Sequence, residues 1–231
     1  MHSALGEPGR LAIVDALVLG DTSPSQLRDS LGMASNLLAH HVRVLERAGL
    51  VRRMRSEGDR RRSYLTLVPG ALDPLDPAAG TGFAAPRIVF VCTENSARSQ
   101  LAAALWAAAS EVPGTSAGTH PAPRIHPGAV AAAHRHGLGL TARTPRSFDE
   151  VRRVGDIVIT VCDRAHEELA TEVRHNHWSV PDPAGDPAAD EAFDRALTDL
   201  TDRIARLTPV VHLPTTHEPG TRTGTSRAES A

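Results

Sequence analysis

A short run in the middle of the chain decides the fold: residues 87–99 read Arg-Ile-Val-Phe-Val-Cys-Thr-Glu-Asn-Ser-Ala-Arg-Ser. The apolar segment 88–91 predicts a buried strand, and the chain from Arg98 onward predicts a helix. Between them, Cys92 and Arg98 bracket five residues whose backbone amides lie at a helix N-terminus. A thiol, a loop of amides and a guanidinium in one place suit nucleophilic attack on a tetrahedral oxyanion.

The loop itself is suited to hold an anion beside a reactive sulfur. The helix dipole, the amides and Arg98 all favour a thiolate at Cys92. Ser99 is placed to donate a hydrogen bond to that thiolate, and Asn95 tolerates the left-handed backbone that a tight loop often needs. Glu94 leaves two alternatives: pointing inward it weakens oxyanion binding by repulsion, and pointing outward it is harmless. The predicted oxyanion-binding residues are Thr93, Glu94, Asn95, Ser96, Ala97 and Arg98.

The chain after this loop alternates strand-like and helix-like segments, which is the pattern of an α/β domain with a parallel sheet. The run 156–162, Asp-Ile-Val-Ile-Thr-Val-Cys, is typical of a strand buried on both faces. The other predicted elements are helices over 98–110, 127–137, 163–173 and 188–207 and strands over 115–119 and near 178–180.

The pattern Cys92-x-x-Asn95-x-x-Arg98-Ser99 resembles the low-molecular-weight protein tyrosine phosphatase family and its arsenate reductase branch. The resemblance covers residues 86–210. It implies the fold of that family, with Cys92 as the nucleophile, Arg98 as the oxyanion clamp and Ser99 as the residue that tunes the thiolate.

Two later segments extend the resemblance. The strand ending in Cys162 is similar to the one that delivers the second redox cysteine of the reductases, and the run 178–183, Trp-Ser-Val-Pro-Asp-Pro, is similar to the Asp-Pro loop of the family. This likeness implies that Asp182 is the general acid and Cys162 the resolving thiol. Two alternatives stay open from the residues alone, namely an inert core thiol at Cys162 and a simple turn residue at Asp182.

The residues also bear on the branch of the family. Phosphotyrosine enzymes commonly place aromatic residues after the Asp-Pro pair, whereas this chain continues with Ala-Gly-Asp-Pro at 184–187 and is only 3% aromatic. In the arsenate reductase interpretation Cys92 attacks arsenate, and Cys162 or an external thiol then releases arsenite. The third cysteine of thioredoxin-linked reductases is missing from 163–170. We therefore expect no bound cofactor and an external thiol donor of the mycothiol, glutathione or thioredoxin type.

The first part of the chain predicts three helices. The first spans 8–19, the second is capped by Ser23-Pro24 and ends at Leu31, and Ser35 predicts the cap of the third. The residues predicted to face the core are Leu11, Val14, Leu17 and Val18 in the first helix and Leu37, Leu38, Val42, Leu45 and Ala48 in the third.

Two β-like segments, 50–55 and 62–68, follow the third helix and are joined by the turn Ser-Glu-Gly-Asp at 56–59. Three helices followed by a hairpin make a winged helix-turn-helix. The hairpin carries many arginines, which as a class mostly contact DNA phosphates and so supply affinity rather than sequence choice.

Segments 5–17 and 39–52 resemble the ArsR-type winged-helix repressors. The likeness implies that helix 34–48 enters the DNA major groove. The residues so assigned to double-stranded DNA are Ser35, Asn36, Ala39, His40, Arg43, Arg55, Arg60, Arg61 and Arg62. Many arsenic-sensing relatives hold the metalloid with cysteines in this domain, but here it has none, and no histidine pair predicts a metal site. A homodimer stays open because a linker replaces the helix that often follows the wing.

Composition divides the chain into two differently charged parts. Residues 1–72 carry 10 Arg against 7 Asp and Glu, and residues 73–231 carry 15 Arg against 20 Asp and Glu. The Pro-, Gly- and Ala-rich stretch 69–86 predicts a linker. We therefore expect a winged helix-turn-helix domain over 1–68, a phosphatase-like domain over 87–212 and a disordered tail over 213–231.

The location and the function follow as expectations. The N-terminus has no signal-peptide pattern and no apolar run approaches about 18 residues, so we expect a cytoplasmic protein without a membrane partner. The leading hypothesis is a DNA-binding regulator fused to an arsenate reductase-like enzyme in an arsenic or oxyanion response. The alternatives are a repressor that senses arsenate or phosphate without turnover, and a phosphatase acting on phosphate monoesters.

Overall fold

The computed structural model describes residues 2–69, 71–72, 83–140, 142, 144–170, 172–173, 175–186 and 189–214. Helices and a hairpin form the N-terminal part: α1 (His2–Leu5), α2 (Pro8–Val18), α3 (Pro24–Leu31), α4 (Ser35–Arg47), β1 (Val51–Arg55) and β2 (Ser63–Leu67). The antiparallel hairpin pairs Val51 with Leu67 and Arg55 with Ser63. The predicted winged helix-turn-helix is confirmed.

The caps of α3 and α4 differ from each other. Ser23 caps α3 in a capping box with Gln26, as predicted. Ser35 is instead the first residue of α4, and Ala34 occupies the N-cap without a side-chain hydrogen bond, so the prediction for Ser35 was wrong. Ala34 supplies only the extended backbone that a cap needs, and the hydroxyl of Ser35 lies on the exposed first turn.

The core of the N-terminal part corrects three more predictions. The buried stripe of α2 runs through Ile13, Val14 and Leu17, so Leu11 falls on the outer side with 47% of its surface exposed. On α4 the buried side chains are Leu38, His41, Val42 and Leu45. Leu37 and Ala48 lie off this stripe and are exposed. A helix buries about one face, so neighbours in sequence cannot all point inward.

The C-terminal part is a parallel sheet flanked by helices: β3 (Phe83–Ala84), β4 (Ile88–Cys92), α5 (Arg98–Ala109), β5 (Gly114–Gly118), α6 (Pro127–Arg135), α7 (Phe148–Val151), β6 (Ile157–Thr160), α8 (Asp163–Leu169), β7 (Asn176–His177), α9 (Ala189–Leu207) and β8 (Val211–His212). The main sheet has the order β5-β4-β6-β7, and all its pairs are parallel. Helix α5 packs against α9 and against β5. The predicted α/β fold is confirmed.

Two segments differ from their predicted form. The strand expected near 178–180 lies earlier, at β7, because the amide of Trp178 makes the last bond to the Thr160 carbonyl and the chain then turns away. Within the predicted linker, Phe83–Ala84 form a strand that pairs in parallel with Val211–His212. The rest of that linker, apart from 69, 71–72 and 85–86, lies outside the described residues, as does the predicted tail beyond Pro214.

The two parts are joined by a buried polar seam. The guanidinium of Arg203 on α9 lies 3.0 Å from the Asp21 carboxylate and donates to Thr66 Oγ1 at 3.2 Å. Asp21 in turn accepts from the Ser179 amide, and the Trp178 indole donates to the Leu19 carbonyl. Both charged side chains of the pair are at least 95% buried. The residues leading into the Asp182 loop are therefore fixed to the N-terminal part.

No helix in the described part of the chain combines the length and the apolar character needed to cross a membrane.

Candidate oxyanion site

Cys92 ends the central strand β4, and the loop 93–97 leads directly into α5. The carbonyls of Cys92, Thr93, Glu94 and Ser96 accept hydrogen bonds from amides between 119 and 126. In a trans peptide the following N–H points opposite to the carbonyl. The carbonyls on one side therefore turn the amides of the next residues toward the other side, around the sulfur. The Asn95 amide demonstrates this directly, since it donates to Cys92 Sγ at 3.2 Å.

A glycine lets the loop pack this closely on the sheet. A Cβ at Gly118 would lie 2.7 Å from the Thr93 carbonyl oxygen and 2.8 Å from the Asn95 nitrogen. Both distances are shorter than real Cβ contacts allow, so only glycine fits here. The end of β5 is thus the support against which the loop packs.

Asn95 has the left-handed backbone that its type predicts, with φ of 50°. Its side-chain oxygen accepts from the Arg146 amide at 2.9 Å, and this contact fixes which end of the side chain is the donor. The NH₂ group then donates to Ser99 Oγ at 2.9 Å. Asn95 is therefore the residue that holds the shape of the loop and orients the serine.

The Ser99 hydroxyl lies 3.1 Å from Cys92 Sγ. Because its oxygen already accepts from Asn95, its own hydrogen is directed to the sulfur. A hydroxyl donor and an amide donor therefore both point at one sulfur. The geometry thus brings together the three residues predicted to make the nucleophile, namely Cys92, Asn95 and Ser99.

Cys162 follows β6 as Cys92 ends β4, and the two strands are neighbours in register, with Val91 opposite Thr160. Both sulfurs are buried and free, and both cysteines line one cavity. Thr93 Oγ1 lies 3.4 Å from Cys162 Sγ. Burial raises the pKa of Cys162, and nearby Arg98 opposes that rise. Cys162 is therefore not an isolated core thiol, because it opens onto the same site as Cys92.

Arg98 begins α5 and points its guanidinium into the cavity, where it is about nine-tenths buried. It donates to the Val180 carbonyl at 3.0 Å and lies 3.2 Å from the Asp182 carboxylate. Burial alone disfavours its charge, but the thiols of Cys162 and Cys92 and the carboxylates around it raise the pKa of Arg98. The guanidinium therefore stays charged and joins the cysteine loop to the Asp-Pro loop.

The cavity over the sulfur has a volume of about 290 Å³. Glu94 lies on its rim with an exposed side chain that accepts a hydrogen bond from Ser96 at 3.1 Å. This position answers the question that the sequence left open, because a solvated carboxylate at the rim repels an anion only weakly. The cavity is lined by Glu57, Cys92, Thr93, Glu94, Ser96, Ala97, Arg98, Cys162, Asp163, Arg164, Asp182 and Ala184.

Sequence reasoning missed Glu57, which comes from the wing turn of the N-terminal part. Its carboxylate lies 3.5 Å from Arg98 Nη1 and accepts from the Asp182 amide at 3.0 Å. It also missed Asp163, which accepts from the Glu57 amide at 2.7 Å and contacts His177 at 3.1 Å. No local pattern marks Glu57, because it becomes part of the site only when the two parts of the chain pack together, whereas Asp163 reaches the site as the neighbour of Cys162.

The residues assigned to DNA lie apart from this cavity. Ser35, Asn36, Ala39, His40 and Arg43 are all exposed on α4. The arginines of the wing assigned to phosphate are exposed as well: Arg55, Arg60, Arg61 and Arg62. Asp59 contacts both Arg61 and Arg62 and so partly neutralises the tip. An exposed helix beside an exposed basic hairpin is the arrangement that a winged helix presents to a duplex.

Among the described residues, no group of three or more His, Cys, Asp or Glu side chains is arranged to hold a metal ion.

Comparison with known proteins gives a match in each part. Residues 87–213 match the model of the low molecular weight phosphotyrosine protein phosphatase family. Residues 5–53 match a model described as a helix-turn-helix domain.

The similar proteins align with the C-terminal part. An arsenate reductase from Bacillus licheniformis is 32% identical over 130 residues, which cover 52% of this chain and 92% of the relative. Arsenate reductase 2 from Staphylococcus epidermidis is 32% identical over 125 residues, covering 51% of this chain and 92% of the relative. The crystal structure of an arsenate reductase from Archaeoglobus fulgidus aligns with 52% of this chain and 98% of its own, at 30% identity and a TM-score of 0.46.

Proposed function

The chain belongs to the low molecular weight phosphotyrosine protein phosphatase family, and from that premise we propose that its C-terminal part is a thiol-dependent arsenate reductase. We propose further that the N-terminal helix-turn-helix binds double-stranded DNA, so that one polypeptide serves a response to arsenic oxyanions. The observation that carries the proposal is the pair of free cysteines, Cys92 and Cys162, lining one cavity with Arg98.

In the first step the Cys92 thiolate attacks arsenic of a bound arsenate. A sulfur–arsenic bond forms, an arsenic–oxygen bond breaks and the departing oxygen leaves as water after protonation. We assign Asp182, which lies beside the clamp at 3.2 Å from Arg98, to take up a proton from solvent and pass it to the departing oxygen. Arg98 and the loop amides hold the remaining oxygens and stabilise the negative charge that builds on them.

In the second step the Cys162 thiolate attacks Cys92 Sγ. The sulfur–arsenic bond breaks and its electron pair stays on arsenic, so arsenic(V) becomes arsenic(III) and leaves as arsenite. The two cysteines have lost two electrons and are joined by a disulfide. An external thiol of the mycothiol, glutathione or thioredoxin type then returns both cysteines to the reduced form, which sets the chemistry in the reducing cytoplasm.

A second candidate function is a repressor that binds arsenate or phosphate without turnover. The observation in its favour is the Glu57 carboxylate of the wing on Arg98, which ties the oxyanion site to the DNA-binding part. In this alternative the loop is a ligand pocket, and Cys92 has no need to attack.

The deciding experiment is arsenite release from arsenate by the wild-type chain, Cys92→Ser and Cys162→Ser, with each class of thiol donor supplied separately. We expect the wild type to turn over with one donor class and Cys92→Ser to release nothing. Absence of turnover by the wild type with every donor would leave the sensor as the better account. Hydrolysis of an aryl phosphate that survives Cys162→Ser, without arsenite release, would indicate a phosphatase.

DNA binding is tested by selecting duplexes from a random pool with the full chain. Arg43→Ala on the exposed face of α4 is expected to weaken the selected complex, whereas Arg28→Ala, exposed on α3, serves as the charge-matched control. Equal loss in both variants, or no enriched sequence, would argue against the assigned recognition helix. A steep fall of affinity with salt is expected for the wing contacts.

A further inference from the structure

The wing of the N-terminal part reaches into the oxyanion site. Its tip, the turn 56–59, packs against the start of α8, and Glu57 lines the cavity together with Cys92. The two Glu57 carboxylate oxygens accept from the Asp182 amide at 3.0 and 3.2 Å, and one of them also lies 3.5 Å from Arg98. A negatively charged group therefore already bridges the clamp and the Asp-Pro loop, as a bound oxyanion would.

The tip is held at this place by specific contacts. The Glu57 amide donates to Asp163 at 2.7 Å, and the Ser56 hydroxyl donates to Glu167 at 2.6 Å. Tyr64 of β2 donates to the same Glu167 oxygen. A Cβ at Gly58 would strike the Glu167 side chain and lie 3.2 Å from the Arg164 Cα. These contacts with α8 fix the position of the wing tip.

Charge decides what an incoming anion displaces. Arg98 is one guanidinium facing two carboxylates, those of Glu57 and Asp182, and an arsenate or phosphate adds up to two further negative charges. The segment leading to Asp182 is fixed by Arg98 at Val180 and by the buried seam at Ser179. Both carboxylates are 48% exposed, but Glu57 stands on a hairpin tip and lies farther from Arg98, at 3.5 Å against 3.2 Å for Asp182, so Glu57 is the carboxylate that we expect to leave.

We propose that the Glu57 carboxylate is an internal ligand of the oxyanion site that arsenate or phosphate must displace, so that filling the site loosens the wing tip. The inference rests on the proposed oxyanion binding but not on reduction. Burial raises the pKa of Glu57, and the neighbouring carboxylates of Asp163 and Asp182 add to that rise, which agrees with this placement. By linkage, whatever frees the wing tip also strengthens oxyanion binding.

The test measures inorganic phosphate binding to the reduced full chain by calorimetry, because phosphate binds without being reduced. Glu57→Gln is expected to bind phosphate about fivefold more tightly than the wild type. The matched control is Asp59→Asn, which removes one negative charge from the same tip away from Arg98 and is expected to leave the affinity unchanged. A wild type that binds no phosphate beside a Glu57→Gln variant that does also supports the proposal.

Equal affinities of the wild type and Glu57→Gln, or binding by neither, would overturn it. Amide exchange supplies the second readout: phosphate is expected to speed exchange of residues 56–59 in the wild type. An exchange rate that phosphate slows or leaves unchanged would overturn the link to the wing even where the affinity changed. Arsenite release from arsenate, measured on the same samples, tests the reductase proposal separately. The competition between the Glu57 carboxylate and phosphate for the oxyanion site does not depend on turnover.

Discussion

The ends of β4 and β6 present two cysteines in nearly the same local geometry. Each sulfur accepts a hydrogen bond from the amide three residues further on, Asn95 for Cys92 at 3.2 Å and Ala165 for Cys162 at 3.4 Å. Each cysteine is buried and precedes a helix, but Cys162 is the N-cap of α8, whereas the loop 93–97 separates Cys92 from α5. Adjacent parallel strands therefore place two thiols on the same side of the sheet, each followed by a helix N-terminus.

The groups around the two sulfurs differ. Cys92 has the Ser99 hydroxyl at 3.1 Å, itself oriented by Asn95, whereas Cys162 has the Thr93 hydroxyl at 3.4 Å. Burial raises the pKa of Cys162. We infer that the strand end makes a cysteine available, and that its neighbours decide whether it is the nucleophile or the thiol that attacks second. Each prediction below changes one side of this pair.

The largest expected effect is all-or-none. Without any external thiol, the reduced wild type is expected to release up to one arsenite per chain, because its own two cysteines supply both electrons. Cys162→Ser is expected to release none, while its Cys92 still reacts with iodoacetate. Quantified arsenite and the mass of the protein afterwards, lower by two hydrogens where a disulfide formed, are the measurements. Stoichiometric release by Cys162→Ser would mean that Cys162 is not the second thiol.

Removing a hydroxyl from each thiol gives the next effect. Ser99→Ala is expected to slow iodoacetamide alkylation of Cys92 at neutral pH by about tenfold to a hundredfold, the range for a hydrogen bond to a charged group. Thr93→Val, which keeps the shape beside Cys162, is expected to change that rate by less than about threefold. Similar slowing in both variants would remove the distinction between the two sulfurs.

Acid is expected to weaken the Cys162 side first. Helix α8 carries His166, and burial together with His177 and His175 lowers its pKa to about 3. In the unfolded chain a histidine takes up its proton near pH 6.5, whereas the buried His166 of the folded chain does so only at much lower pH. The contribution of His166 to the free energy of unfolding is therefore complete above pH 6.5 and is lost as the pH falls toward 3. Proton uptake linked to this one group lowers the free energy of unfolding at pH 5.5 by about 1 kcal/mol.

The corresponding helix after Cys92, α5, contains no histidine. Denaturant unfolding at pH 7.5 and 5.5 measures how much free energy of unfolding is lost in acid. His166→Phe, which keeps a ring against Tyr64, is expected to make this loss smaller by the contribution of His166. Identical pH dependence in the variant would show that His166 does not titrate as its burial implies.

The smallest effect concerns the charges two residues after each cysteine. Glu94 follows Cys92 and Arg164 follows Cys162, and both line the rim of the cavity with exposed side chains. Glu94→Gln is expected to tighten phosphate binding and Arg164→Gln to weaken it, each by no more than about fivefold and less at high salt. Calorimetry at two salt concentrations measures both, and changes of the same sign would contradict the electrostatic account.

Local chemistry explains how much of the site the sequence predicted. Cys92, Asn95 and Ser99 lie within eight consecutive residues, so a strand followed by a helix already places them close together. Asp182 and Cys162 were predicted from the family resemblance, because their own residue types do not distinguish a site residue from a turn residue or a core thiol. Glu57 is different: it meets Arg98 across 41 residues and Asp182 across 125. Such contacts depend on how the two folded parts pack against each other, and no periodicity in the sequence indicates them.

The same holds for individual positions in the fold. Leu11 and Leu37 are apolar and lie within helices, yet each falls just outside the buried stripe. Helical spacing predicts which residues share a face, but the neighbours that cover the face decide its width. Ala34 caps α4 because its backbone is extended, and its residue type does not predict that conformation.

The buried pair of Asp21 and Arg203 affects how either part of the chain would behave if it were produced alone. Removing the N-terminal part would take the Asp21 carboxylate from Arg203 and leave Asp199, at 3.1 Å, as its ion-pair partner. The Ser179 amide, three residues before Asp182, would lose its acceptor at the same time. The two parts are therefore not interchangeable modules, and the C-terminal part on its own would lack a contact that holds the segment leading to Asp182.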